Sequence, residues 1–125
     1  MNAIDIIRKK ITTEGSNFPR DLVVAYALGQ IDEGSVKVFQ YGPVVFTVSV
    51  MPEYPVVHMY ADDAGHSLIR HTRKFMSEVW SAVPHKFLVA PILLDGVKAL
   101  VRKVGWKSTG RWYDTGHELF IIERD

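Results

Sequence analysis

The strongest constraint on the fold is the passage from Pro55 to Val83. Pro55-Val-Val-His-Met-Tyr-Ala61 is apolar enough for a strand, Asp62-Asp-Ala-Gly-His-Ser67 is a polar turn, and residues 65–83 read as a long amphipathic helix. Leu68, Ile69, Thr72, Phe75, Met76, Val79, Trp80 and Val83 recur at three- and four-residue steps, which builds one wide apolar stripe. Arg70, His71, Arg73, Lys74 and Glu78 take the remaining surface, and Pro84 ends the helix. A strand that turns directly into a helix with so broad an apolar face must lay that helix back on a sheet. The turn carries opposed signals. The first turn of a helix offers unpaired N–H groups and a positive dipole end, which suit an anion. Asp62 and Asp63 oppose an anion and read equally well as N-capping residues.

Before this junction the period changes once. Ile4, Ile7 and Ile11 have helical spacing over residues 2–12, and Leu22, Val23, Tyr26, Ala27 and Ile31 predict one apolar face on a second helix that starts near Pro19 and stops at Gly34. From Ser35 the repeat becomes two. Residues 36–39 and 44–51 read as strands around the turn Tyr41-Gly-Pro43, with Val44, Phe46, Val48 and Val50 on one face and Thr47 and Ser49 on the other. Residues 56–61 add a third strand after Pro52-Glu-Tyr-Pro55, so an antiparallel meander is expected. Beyond the long helix, residues 86–93 form an apolar run that suits a strand buried on both faces, with Pro91 marking its end or a splayed edge. Asp95 is placed to cap a short helix over residues 96–104, closed by Gly105. Residues 106–113 and 118–123 complete the sheet as a hairpin.

Composition narrows the class. The 125 residues suit one domain, and 47% apolar with 23% charged residues is ordinary for a globular chain. Cysteine is absent, which removes disulfides, thiolate metal sites and cysteine nucleophiles. The N-terminus places its charges after its apolar residues and reads as neither a signal peptide nor a membrane span. A formal net charge of +1 advertises neither nucleic acid nor a cationic partner. His66 and His71 are five apart with no carboxylate at helical spacing, so no metal site is expected.

The order helix, helix, three strands, helix, strand, helix, two strands resembles the GNAT superfamily of acyl-CoA-dependent N-acetyltransferases, without that family's first strand. The resemblance rests also on three local marks. Asp62-Asp-Ala-Gly-His-Ser67 resembles the Gln/Arg-x-x-Gly-x-Gly/Ala turn that binds the CoA pyrophosphate, with Gly65 matching and Ser67 a small substitute. Gly96-Val-Lys-Ala-Leu-Val-Arg-Lys-Val-Gly-Trp106 is similar to the family's late helix with its Gly-Phe ending, and Gly110-Arg-Trp-Tyr with His117-Glu-Leu-Phe-Ile-Ile-Glu to its closing hairpin. The sequence departs from the family at Leu94, where a cofactor-contacting Asn is frequent, and at Val101, where a general-acid Tyr is frequent. It is also similar to the eroded GNAT-like proteins of tailed bacteriophages, internal virion proteins among them.

The resemblance implies a single α/β (α+β) domain over residues 1–125 with a mixed, mostly antiparallel sheet of about six strands flanked by helices. It implies acetyl-CoA as cofactor and an amine of unknown identity as acceptor. The backbone of residues 58–61, Met59 and Ala61 among them, would bind the acyl carbonyl, and Gly65, His66, Ser67 and Leu68 the pyrophosphate. His58 and Tyr60 alternate along one strand face and are the candidates for proton transfer, or are simply the polar tips of a half-buried strand. The basic face of His66, Arg70, His71, Arg73 and Lys74 suits CoA phosphates or nucleic acid, and reads equally as a solvated helix face. Trp106, Trp112 and Tyr113 suit packing or ligand stacking, and Tyr41 and Tyr54 a binding rim. The competing function is a catalytically silent virion or host-interaction protein, with nucleic-acid association third. A second copy or a phage or host protein is the expected macromolecular partner, in the bacterial cytoplasm or the virion.

Overall fold

The structure, a computed structural model, describes residues 2–11, 18–50, 54–62, 68–113 and 116–124. Its elements follow the expected order: α1 (Ala3–Lys10), α2 (Arg20–Asp32), β1 (Val36–Tyr41), β2 (Val44–Val50), β3 (Pro55–Ala61), α3 (Leu68–Val79), β4 (Phe87–Ile92), α4 (Asp95–Lys103), β5 (Lys107–Trp112) and β6 (Glu118–Glu123). The strands form one sheet in the order β1-β2-β3-β4-β6-β5. Only β3 and β4 pair in parallel; the other neighbours are antiparallel.

Local chemistry explains the meander. Gly42 sits at φ +57° in the first position of a two-residue loop, a conformation glycine adopts without steric cost. Pro43 follows, and β1 and β2 pair from Tyr41↔Val44 to Val36↔Ser49. Both faces of β2 are covered. Val44, Phe46 and Val48 join Phe75, Val79, Leu88 and Phe120 in the main core under α3 and α4. On the opposite face Val45 packs with Ile6 and Ile7 of α1, with Leu28, Ile31, Val38 and Tyr60 at the margin. The expected polar face of β2 is therefore also buried, with Thr47 5% exposed, because α1 lies across it.

Three further local expectations change. Leu22 and Tyr26 do not belong to the buried face of α2: they are 57% and 69% exposed. That helix packs over the terminal strand β1 and beside α1, and its Leu28 and Ile31 reach the cluster around Ile6, Ile7 and Val45. The long helix stops at Val79 rather than Val83. Ala82 and Val83 both donate to the Val79 carbonyl, which tightens the chain into a turn ahead of Pro84. Asp95 is the first residue of α4, not its cap; Leu94 holds the cap position and supplies no side-chain bond. Lys98 instead engages Asp95 at 3.8 Å and Glu118 at 3.1 Å. Among the described residues no helix is long and apolar enough to cross a membrane.

Candidate active site

The register of the sheet fixes which backbone groups are available. Asp62 N–H donates to the Pro43 carbonyl at 2.9 Å, in step with the unbroken β2–β3 ladder. Alternation along that ladder turns the N–H and C=O groups of His58 and Tyr60 toward β2, and those of Val57, Met59 and Ala61 toward β4. The parallel pairing of β3 with β4 is centred on Val56 and Val89, which sets the Val89 backbone against Pro55 and Val57. The next rung would need an N–H at position 91 for the Val57 carbonyl. Pro91 has none. On its other edge β4 continues in register with β6 through Pro91↔Leu119 and Ile92↔Glu118, so β4 follows β6 while β3 follows β2. The strands part, and the backbone of Met59 and Ala61 faces the gap.

Side chains divide across this split. Met59 and Ala61 point into the main core beneath α3. His58 and Tyr60 lie on the α1 side, with ring centroids 6.5 Å apart and planes at 26°. Burial lowers the His58 pKa below its ordinary value, and the charge of His117, just before β6, lowers it further. The imidazole is thus kept neutral. Burial raises the Tyr60 pKa, partly offset by a hydrogen bond with Thr47, so its phenol stays protonated. A neutral base and a proton-bearing phenol stand side by side next to the split.

Asp62 continues the same alternation onto the α1 side. Lys9 Nζ lies 2.7 Å and Lys10 Nζ 3.9 Å from its Oδ1. The Lys9 contact leads in holding the carboxyl below its usual pKa, and both lysine charges add to that. Asp62, one of the two aspartates that counted against anion binding, is therefore neutralised by cations from the first helix, which nothing in the local motif foretells; Asp63 lies outside the described residues. Leu68 opens α3 and packs partly against the core; Gly65, His66 and Ser67 lie outside the described residues.

The two family departures also have definite places. Val101 is 8% exposed inside the main core, and Leu94 is exposed at the start of α4. The basic face of α3 is engaged from within the fold: His71 stacks on Tyr41 at 6.3 Å and 18°, and Lys74 Nζ lies 5.9 Å from the Tyr41 ring centroid. Trp106 is buried, its indole N–H donating to Met76 Sδ at 3.3 Å, whereas Trp112 and Tyr113 are exposed. An open groove of about 580 Å³ beside Trp80, Gly105 and Glu123 lies at the opposite end of β4 and is no part of the split.

No protein-family profile matches the sequence, and no curated protein sequence does. Solved structures do match in fold. Spermidine N-acetyltransferase from Vibrio cholerae, in complex with CoA and spermine, has a TM-score of 0.63 at 9% identity, covering 98% of this chain and 85% of that one. The Campylobacter jejuni N-acetyltransferase PseH in complex with acetyl coenzyme A has a TM-score of 0.65 at 13% identity, covering 100% and 94%. A chimera of the Vibrio cholerae spermidine enzyme SpeG with hSSAT aligns at a TM-score of 0.66 and 9% identity, over 96% and 89%. The chain thus has the α+β fold of GNAT acetyltransferases over nearly its whole length.

Proposed function

We propose that this chain is an acyl-CoA-dependent N-acetyltransferase acting on an amine. The observation that carries the reading is the split at Pro91, which turns the Met59 and Ala61 backbone toward a gap flanked by His58 and Tyr60. Acetyl-CoA supplies an acyl thioester, and its pantetheine amides suit a strand edge whose N–H and C=O groups face outward. The fold shared with enzymes solved with acetyl coenzyme A, or with CoA and spermine, supports the same ligands. The residues at the turn after Ala61 hold the diphosphate, with the Leu68 N–H in the first turn of α3.

In this reading the chain holds donor and acceptor together and manages two protons. The Met59 N–H polarises the acyl carbonyl as the amine adds to it. A C–N bond forms, the C–S bond breaks, and the amine proton passes to neutral His58. Tyr60 returns a proton to the departing sulfur and is reprotonated from solvent or from His58. Calorimetry with acetyl-CoA, followed by thiol release across an amine panel, tests the assignment. Binding with turnover of at least one amine supports it, and an absence of binding removes it.

A second reading has its own support. Val101 is packed into the core where a proton donor is frequent, and Leu94 offers no polar group at the start of α4. A silent descendant serving as a virion or host-interaction component predicts acetyl-CoA binding or none, and no turnover of any amine. For the macromolecular partner, β1 ends the sheet, and a terminal strand is where a second copy can add. Sedimentation of the full chain decides this: a strictly monomeric mass removes the dimer.

A further inference from the structure

We propose that Lys9 and Lys10 are the diphosphate-binding cations of this chain, supplied by α1 and held ready by Asp62. The inference rests on the acyl-CoA reading and adds to it a binding element from outside the β3–α3 turn. Three observations support it. First, the last turn of α1 carries Arg8, Lys9 and Lys10, and both lysine ammonium groups converge on one carboxylate oxygen at 2.7 and 3.9 Å. One carboxylate cannot satisfy two ammonium groups, which bring up to six N–H donors between them. Second, the lysine side chains are 55% and 38% exposed whereas Asp62 is 20% exposed. The cations are open to an incoming ligand, and the acid beneath them is fixed through its backbone bond to Pro43.

Third, the α1 C-terminus does not oppose an anion as a bare helix end does. The Arg20 guanidinium donates to the carbonyls of Arg8, Lys9 and Ile11, so the negative end of the dipole is covered by a further cation. Among the described side chains joined by these contacts, Lys9, Lys10 and Arg20 against Asp62 sum to +2 at the end of β3. In the free chain Asp62 gathers the lysines and limits their mutual repulsion. When a diphosphate arrives they shift from one carboxylate to a ligand with more acceptor oxygens. This makes Asp62 a competitor that sets affinity and Lys9 and Lys10 its direct contacts.

The test is calorimetry on the full chain with two probes, acetyl-CoA and acetyl-pantetheine, which lacks the diphosphate. For the double variant Lys9→Gln/Lys10→Gln the expected result is a loss of about tenfold or more in acetyl-CoA affinity, with acetyl-pantetheine unchanged. Asp62→Asn is expected to strengthen acetyl-CoA several-fold, a gain that a folding defect cannot imitate, and to steepen its salt dependence. Lys9→Arg/Lys10→Arg keeps the charge and is expected to hold affinity near that of the natural sequence. Should the glutamine variant bind acetyl-CoA as tightly as the natural chain, this inference fails while the acyl-CoA reading stands. If the natural chain binds neither probe, both fail.

Discussion

Burial is the larger of the two effects that keep the His58 imidazole neutral, and the charge of His117 adds to it. For a base this places the acid limb of the pH–rate profile below the ordinary value of 6.5. Replacing His58 with Asn is expected to lower kcat by about 10²–10⁴-fold and abolish that limb, measured by thiol release against pH. His117→Asn removes the smaller effect, so the limb is expected to move up toward 6.5 with activity retained. Stability follows the same shift. The unfolded chain binds a proton at His58 before the folded one does, so the stability is complete above 6.5 and falls as pH drops through it. Thermal melts from about pH 7.5 to about pH 5.5 should show this fall, and it should be absent in His58→Asn. The pairing of His58 with Tyr60 was legible in the sequence because strand alternation is local. The approach of His117 and of Lys9 was not, since each depends on which strands and helices become neighbours.

Pro91 acts at the scale of the element. By withholding an N–H from the Val57 carbonyl it ends the parallel ladder where β4 turns to follow β6. Pro91→Val restores that donor. The expected outcome is a position-91 amide protected from hydrogen exchange and weaker acetyl-CoA binding; an exchange-labile amide with unchanged affinity would mean the split has another cause. In the layer below, Phe75 stacks on Phe46 at 4.3 Å and 7° and meets Phe39 edge-on at 5.3 Å. Phe75→Ala should cost about 3–5 kcal/mol in chemical denaturation, as expected for emptying a packed aromatic site. Element order was legible because the hydrophobic period switches cleanly between near four and two. Facing was less so. The apolar positions of α2 suggest one stripe, yet Leu22 and Tyr26 are outward because the helix lies at the margin of the sheet, over the terminal strand and beside α1. Asp95 illustrates a boundary of the same kind: a good capping residue became a first-turn partner for Lys98 once Glu118 arrived from β6.

At the scale of the molecule, two cores pack on opposite faces of one sheet, whose β3 and β4 pair at Val56 and Val89 before they diverge. The main core fixes α3 and α4 on one face, and α1 and α2 close the other. The split therefore lies between a face that carries α3 and a face that carries His58, Tyr60 and Asp62. The resemblance implied a mixed, mostly antiparallel sheet, whereas the cause of the opening emerged only from register. A single proline between two strands is ambiguous until its N–H direction is known. An acetyltransferase built this way must receive its acyl donor in this opening. Calorimetric titration of the full chain with acetyl-CoA is predicted to show saturable binding that Pro91→Val weakens. No heat of binding with ligand raised to about millimolar concentration would contradict it.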